Sequence, residues 1–385
     1  MPDEPRAASE TRSLSLTALM ALAQLPGLRC GALSPLARIA APAGAPDRDA
    51  LAAALHALDG DWAALPAALL DPGLSVGLVV ADRESQLLGQ YLWPQPQGLG
   101  PGFRVGVAGA ALEAQGPLTL EDVELSLLNQ LALGSCAEVP PERFELDAAQ
   151  LWTLLALVDA LGTAAALRQA ARASGPPPGV TIGDIEAAWN AGIARPNPGW
   201  AVSLAAMLAP EALPADVTAL LRDTLARLQD AGLVVVLDSA PGDLLGDLVI
   251  PAAGLDLLCR GLSQGGIAFG LARSERVAED RVEITRVAGW RTPGGIVVAE
   301  LSALSEGRAE LLLTGPSHCA QLLGALLGTS SLPEGTAIPG AAEPSPADLL
   351  ALLAPPAAAS APHWSHCGAA VRAGARFCPQ CGKAL

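Results

Sequence analysis

Residues 73–85 read GLSVGLVVADRES, and 193 positions later residues 266–278 read GIAFGLARSERVA. At the same spacing, GFRVGVAG from Gly102 is matched by GIVVAELS from Gly295. A Leu-rich segment follows each pair, SLLNQLALG in the first half and AQLLGALLG in the second. Two blocks that share one spacing predict an internal duplication, in which each copy has two or more strands followed by a helix.

Apolar side chains alternate within these segments, as they do in strands that bury one face. The alternating positions are Phe103, Val105 and Val107 in the first copy, and Ile267, Phe269 and Leu271 in the second. The expected fold class is therefore α+β, with a duplicated body built from helices and antiparallel sheet.

Helical patterns precede each predicted β unit. In the first half they cover 14–25 and 48–62. In the second half, Asp147 is placed to cap a helix that begins in LDAAQLW. Thr181 and Asp184 have the spacing of a capping box at the start of the next helix.

A third helix of the second half carries an apolar stripe, and Gly232 is placed to end it. The stripe consists of Val217, Leu221, Leu225 and Leu228. Two short strands follow, at 233–237 and near 247–251. This order of helix, helix, glycine turn and two strands over about 180–255 resembles a winged helix-turn-helix.

A winged helix that reads DNA presents basic and amide side chains to the groove. The acidic residues of this helix outnumber its basic ones: Asp216, Asp223 and Asp230 against Arg222 and Arg227. We therefore expect a module for packing or protein contact, and a winged-helix DNA-binding transcriptional regulator is the alternative.

The composition favours a cytoplasmic bacterial protein. The 385 residues are enough for two or three compact units, and 51% of them are hydrophobic. Lys383 is the single lysine among 23 basic residues, an arginine bias typical of genomes rich in G and C. The mean hydropathy is +0.38, but proline, glycine or histidine interrupts the long apolar runs. The acidic start of the chain does not match a secretory signal, so we expect no membrane association.

The net charge of −16 lies on the body of the chain. The segments 1–146, 147–330 and 331–362 are all acidic, whereas 363–385 contains three basic residues and no acidic one. An acidic body is a poor match for a polyanion. Nucleic acid is therefore not the expected partner of the body, and a protein partner is.

Three cysteines near the C-terminus have the spacing of metal ligands. Cys378 and Cys381 are separated by two residues and followed by glycine, which allows both thiolates to face one ion. Cys367 and its following glycine form the second half of another such knuckle, and AAVRAGARF between the knuckles predicts a short hairpin. In a reducing compartment this pattern favours a metal over disulfides.

The segment resembles the small bacterial zinc-ribbon family, in which two C-x-x-C-G knuckles enclose zinc. The resemblance implies a structural Zn²⁺ with Cys367, Cys378 and Cys381 as ligands. Trp364 stands where the family has its remaining cysteine, so His363 is the expected fourth ligand. The alternatives are His366, a water molecule, or a ribbon that has lost zinc and packs Trp364 in its place.

These patterns divide the chain into five segments. They are a flexible N-terminus (1–12), a first α+β unit (13–135), a second α+β unit (146–328), a Pro/Ala linker (329–362) and the zinc ribbon (363–385). The two-half plan is also similar to that of type VII secretion chaperones, whose halves share a sheet-plus-helix plan. That likeness concerns architecture and assigns no role to a residue.

Enzymatic motifs are absent from the sequence. It contains no P-loop, no zincin motif and no nucleophile elbow. Ser317, His318 and Cys319 are adjacent, but neighbours on a helix point to different sides, so a helix start capped by Thr314 or Ser317 is the better interpretation. We expect a non-enzymatic binding or adaptor protein.

Overall fold

The computed structural model describes residues 10–23, 30–38, 48–82, 86–108, 111–171, 179–214, 221–237, 247–252, 266–279, 281–292 and 294–329. The chain divides into two units, Met1–Leu352 and Leu353–Leu385, and every described residue lies in the first.

The described residues form a mixed structure of helices and antiparallel strands, which confirms the α+β class. The strands are β1 (Glu10–Ser15), β2 (Leu74–Ala81), β3 (Gln86–Trp93), β4 (Gly102–Ala108), β5 (Ala111–Leu118), β6 (Glu142–Asp147), β7 (Val180–Thr181), β8 (Val234–Leu237), β9 (Leu248–Pro251), β10 (Ile267–Arg276), β11 (Val282–Thr292), β12 (Gly295–Glu300) and β13 (Arg308–Thr314). The helices are α1 (Leu16–Ala23), α2 (Arg48–His56), α3 (Leu65–Leu70), α4 (Leu120–Leu131), α5 (Ala148–Ala170), α6 (Ile182–Ala194), α7 (Ala201–Leu208), α8 (Leu221–Asp230) and α9 (Pro316–Leu327).

A ten-stranded antiparallel sheet runs through both halves of this unit in the order β1-β5-β4-β3-β2-β10-β11-β12-β13-β6. The strands β2 to β5 form one meander and the strands β10 to β13 form a second, and each meander is followed by a helix. Their first strands, β2 and β10, pair at the centre of the sheet. The two halves therefore share one hydrogen-bonded sheet.

The central pairing agrees with the spacing of the first sequence block. Leu78 of β2 pairs directly with Leu271 of β10, and these residues are 193 positions apart, the spacing that relates 73–85 to 266–278. A local two-fold axis through this pair would exchange β2 with β10.

The second sequence block does not keep that spacing in the sheet. Through the paired residues of β3, Gly77 of β2 lies level with Val105 of β4. Through those of β11, the equivalent Gly270 of β10 lies level with Ala299 of β12. Val105 and Ala299 are 194 positions apart. The expected common spacing is therefore wrong for the block from Gly102. Because side chains alternate between the faces of a strand, a slip of one residue places matched residues on opposite faces.

One face of the sheet is covered by α4 and α9, which contribute leucines to a common core. Leu127 of α4 and Leu323 of α9 are fully buried there, together with Leu78 and Leu271 from the central strands. The surface above the central strand pair is therefore hydrophobic core, which leaves no open groove between the halves there.

On the other face, the first half is covered by α1, α2 and α3. Trp62 packs on Phe103 with a distance of 5.3 Å between ring centroids. Strand β1 begins at Glu10 and pairs with β5, so the predicted flexible segment 1–12 is wrong for residues 10–12. The alternation of ETRSLS, with Leu14 buried, explains why these residues extend the sheet.

The second half carries α5 to α8 on this face. Helix α7 packs closely on β10, since a Cβ placed on Gly270 would lie 2.9 Å from Cδ1 of Leu208. The capping interactions are those predicted, with Asp147 bonded to the backbone of Gln150 and Thr181 to that of Asp184.

A small second sheet lies beside α8 in the order β7-β9-β8. Leu221, Leu225 and Leu228 of the predicted stripe are buried, and Val217 lies outside the described residues. Gly232 ends the helix with φ of +71°, a conformation that glycine adopts without strain.

Candidate metal centre and contact surfaces

The exposed surface of α8 is the face that a DNA-reading helix would use. Arg222 forms an ion pair with Asp247, with 3.3 Å between its Nη1 and Oδ2 of Asp247. Arg227 forms one with Asp147. Both arginines are therefore neutralised by carboxylates of the same chain, and the exposed acids Asp223 and Asp230 add negative charge. This surface does not offer the positive charge that phosphates require.

The sheet beside α8 exposes aliphatic side chains. Val235 and Leu237 of β8 are 46% and 48% exposed, and their partners Ile250 and Leu248 on β9 are half-buried. Gln229 occupies one backbone donor of β8, because its side-chain oxygen accepts a hydrogen bond from Val236 N at 2.8 Å.

The neighbouring residues Ser317, His318 and Cys319 do not form a catalytic group. Ser317 is exposed, whereas Cys319 is completely buried. Burial raises the pKa of the Cys319 thiol to about 12, so the thiol is protonated at neutral pH and is a poor nucleophile.

The start of α9 also differs from the sequence expectation. Its N-cap is Gly315 rather than Thr314 or Ser317, and Oε2 of Glu138 lies 3.5 Å from Ser317 N. A Cβ placed on Gly315 would lie 2.8 Å from the Glu138 carboxyl carbon. The carboxylate of Glu138, from the loop between α4 and β6, thus takes the capping role. Sequence spacing could not reveal it, because the two residues are 179 positions apart.

A buried carboxylate joins α5 to α7. The two oxygens of Asp159 accept hydrogen bonds from Ala201 N at 2.7 Å and from Val202 N at 2.9 Å. Burial raises the pKa of Asp159 to about 7, although these two hydrogen bonds act in the opposite direction. Asp159 therefore links helix docking to pH.

Helix α5 is also long and apolar enough, by length and composition, to cross a membrane. It is the one such helix in the described part of the chain. Its central residues, from Leu151 to Leu161, are buried within the protein, as is typical of the core helix of a globular unit.

A row of glutamates crosses three neighbouring strands at the β6 end of the large sheet. Glu145 of β6 pairs with Glu310 of β13, and Glu310 pairs with Glu300 of β12. The three carboxylates therefore lie side by side on one face. Sequence reasoning missed this row, because the residues come together only through strand register.

The row lines a cleft of about 360 Å³. The other residues that line it are Leu146, Ala303, Arg308 and Ala309. Burial raises the pKa of Glu300 and the neighbouring Glu310 raises it further, while hydrogen bonds from Ser302 and Ala303 lower it. Arg143 compensates part of this charge, with 3.2 Å between its Nη1 and Oε1 of Glu310.

No group of three or more histidine, cysteine or acidic side chains is placed to hold a metal ion within the described residues. The predicted ligands His363, Cys367, Cys378 and Cys381 lie outside those residues, as do Trp364 and the alternative ligand His366. The argument that these residues bind a metal therefore rests on the chemistry of their side chains. Thiolate and imidazole are the usual ligands of structural zinc.

Comparison with protein families identifies residues 365–385 as a zinc-ribbon domain. The matched range contains the three predicted cysteine ligands and His366, and it begins after His363 and Trp364. The chain thus carries a zinc ribbon at its C-terminus. No curated protein matches the chain.

Proposed function

We propose that this chain is a non-enzymatic, cytoplasmic binding or adaptor protein with a structural zinc-ribbon tail, and that it contacts another protein. The match of residues 365–385 to a zinc-ribbon domain carries the proposal, because a structural zinc site contributes folding energy and lacks the open coordination position of a catalytic one. The acidic body and a chaperone-like plan of two sheet-plus-helix halves agree with protein contact.

Zinc has a structural role in this proposal. Cys367, Cys378 and Cys381 supply three thiolates and His363 supplies the fourth ligand; His366 and water are the alternatives. The segment 363–385 contains no aspartate or glutamate that could serve as a general base, which favours a structural site over a catalytic one.

The proposal treats the body as a duplicated unit. The central pair of Leu78 with Leu271 and the two meanders, each followed by a helix, support a common origin of the halves. The change in spacing from 193 to 194 requires one insertion or deletion between the first and third strands of the meanders.

The segment 180–255 is proposed to be a winged helix used for protein contact. Support comes from the order of α6, α7, α8, β8 and β9, and from the ion pairs that neutralise Arg222 and Arg227. DNA binding, the alternative function, would need basic side chains that this helix does not present.

Recovery of a partner tests the adaptor role. We expect the tagged full chain, crosslinked in its source cells, to enrich a defined protein, and a chain without residues 363–385 to enrich less of it. Double-stranded DNA should not bind the purified chain at moderate salt, as measured by fluorescence anisotropy. Binding of DNA without an enriched protein would overturn the proposal in favour of the regulator.

A further inference from the structure

Strand β6 is the last strand of the large sheet, and no described residue pairs with its outer edge. Ala148 N donates to Gly307 O, which fixes the phase of the ladder between β6 and β13. Hydrogen-bonded pairs alternate in an antiparallel ladder. Phe144 and Leu146 therefore bond to β13, while the N–H and C=O groups of Arg143 and Glu145 point away from the sheet.

The outward-pointing segment is short and bounded. Pro141 precedes it, and Asp147 N donates to Oε1 of Gln150 and is therefore already engaged. Arg143 and Glu145 remain, with four backbone groups that can bond to an added strand. Peptides bind to sheet edges in this way, with backbone hydrogen bonds supplying affinity and alternate side chains supplying specificity.

The side chains beside this edge define the chemistry of such a strand. Glu145 lies on the edge strand, Glu310 lies opposite it on the next strand, and Glu300 lies two strands inside the sheet. Like charges placed opposite one another on neighbouring strands destabilise a sheet. Arg143 and Arg308 beside the row compensate only part of the charge of its three carboxylates. A further cationic side chain at the cleft would therefore relieve the remaining repulsion, whereas an acidic one would increase it.

Charges on an edge strand commonly serve to prevent association with other strands. Glu145 alone would fit that role. Glu300 does not, because it is half-buried and lies two strands from the edge, where it opposes no incoming backbone. The row continues into a cleft, which is the shape expected of a pocket for an entering side chain.

We propose that the β6 edge binds an extended segment of a partner protein, which adds a strand beside Arg143 and Glu145 and places an arginine or lysine over Glu145, at the mouth of the acidic cleft that continues to Glu310 and Glu300. The inference rests on the proposed protein-binding function and names the surface and the kind of segment it takes.

The test uses the full chain and labelled peptides of alternating arginine and valine, followed by fluorescence anisotropy. A peptide with glutamate in place of arginine tests the charge. A peptide with alternate amides methylated tests strand pairing, since it keeps the charge but loses the hydrogen bonds to one edge. We expect the arginine peptide to bind, the methylated peptide to bind at least tenfold more weakly, and the glutamate peptide not to bind.

Two variants locate the site. Glu145→Lys should weaken binding at least tenfold by reversing the charge at the edge. Glu145→Pro should weaken it by removing an outward N–H, and proline is tolerated on an edge strand where that N–H is not part of the ladder. Glu10→Lys makes the same charge change on β1, the opposite edge, and should leave binding unchanged. Circular dichroism of each variant checks its fold.

Equal binding of the methylated and unmethylated peptides would overturn the inference, because it would show general attraction to an acidic protein. Equal effects of Glu145→Lys and Glu10→Lys would overturn it as well. The proposed function fails separately, when no partner protein is crosslinked in cells. If a partner is crosslinked equally by the unmutated chain and by Glu145→Lys, the β6 inference fails and the adaptor role remains.

Discussion

The link between Asp159 and pH gives a prediction whose sign follows from the structure. Burial raises the pKa of this carboxyl from 3.8 to about 7 in the folded protein. Between these values the unfolded chain is deprotonated at Asp159 while the folded protein keeps the proton. The unfolded state thus binds fewer protons, and the stability contributed by this group falls as pH rises from about 4 to about 7.

The magnitude follows from the size of the pKa shift. Each unit corresponds to about 1.4 kcal/mol, so the whole interval corresponds to about 4 kcal/mol. The variant Asp159→Asn removes the titration and keeps an oxygen that can accept from Ala201 N, although it loses the bond from Val202 N. Its stability should therefore lack the pH dependence that Asp159 adds.

Urea unfolding of both proteins at several pH values between 4 and 8 measures the effect. Other titrating groups cancel when the free energy of unfolding of the variant is subtracted from that of the unmutated protein. We expect the unmutated protein to lose stability relative to Asp159→Asn as pH rises, and the difference to level off above about pH 7. An increase with pH would refute the reasoning, because it would show that Ala201 N and Val202 N hold the carboxylate in its charged form.

Three further substitutions test the fold. Leu271→Ala removes a fully buried side chain at the central strand pair and should lower the free energy of unfolding by about 2–5 kcal/mol, measured by urea unfolding. If the shared sheet unfolds as one unit, probes in both halves should report the same transition. Thr181→Ala should cost about 1 kcal/mol through loss of the capping box, and circular dichroism should show slightly reduced helicity. Gly270→Val should cost at least about 1–3 kcal/mol in the same unfolding assay, because its side chain would collide with Leu204 and Leu208 of α7; an unchanged midpoint would contradict this packing.

Local signals in the sequence predicted local structure well. Asp147, Thr181 and Asp184 have the spacing of caps, and the structure forms those caps. Gly232 ends a helix as expected, since a positive φ favours glycine. Such features depend on residues a few positions apart, so spacing alone determines them.

Features that depend on distant residues were predicted less well. The helix expected at 14–25 begins at Leu16, because Glu10–Ser15 is recruited as an edge strand by β5. The helix expected at 48–62 ends at His56, and a 3-10 turn at Gly60–Ala64 follows it. In both places a tertiary contact or a glycine overrides the Leu- and Ala-rich pattern.

The zinc ribbon and the glutamate row differ in the same respect, since one is local in sequence and the other is not. The zinc ribbon was found from sequence because Cys367, Cys378 and Cys381 lie within one short segment. The glutamate row could not be found, because Glu145, Glu300 and Glu310 are far apart in the chain and meet only through the registers of β12, β13 and β6.

The metal content of the purified full chain tests the central claim most directly. We predict about one equivalent of zinc by inductively coupled plasma mass spectrometry, lost in both Cys378→Ser and His363→Ala. Loss only in the cysteine variant would reject His363 as the fourth ligand and leave His366 or water. Absence of zinc from the unmutated protein, purified without chelators, would contradict the account of a working structural site.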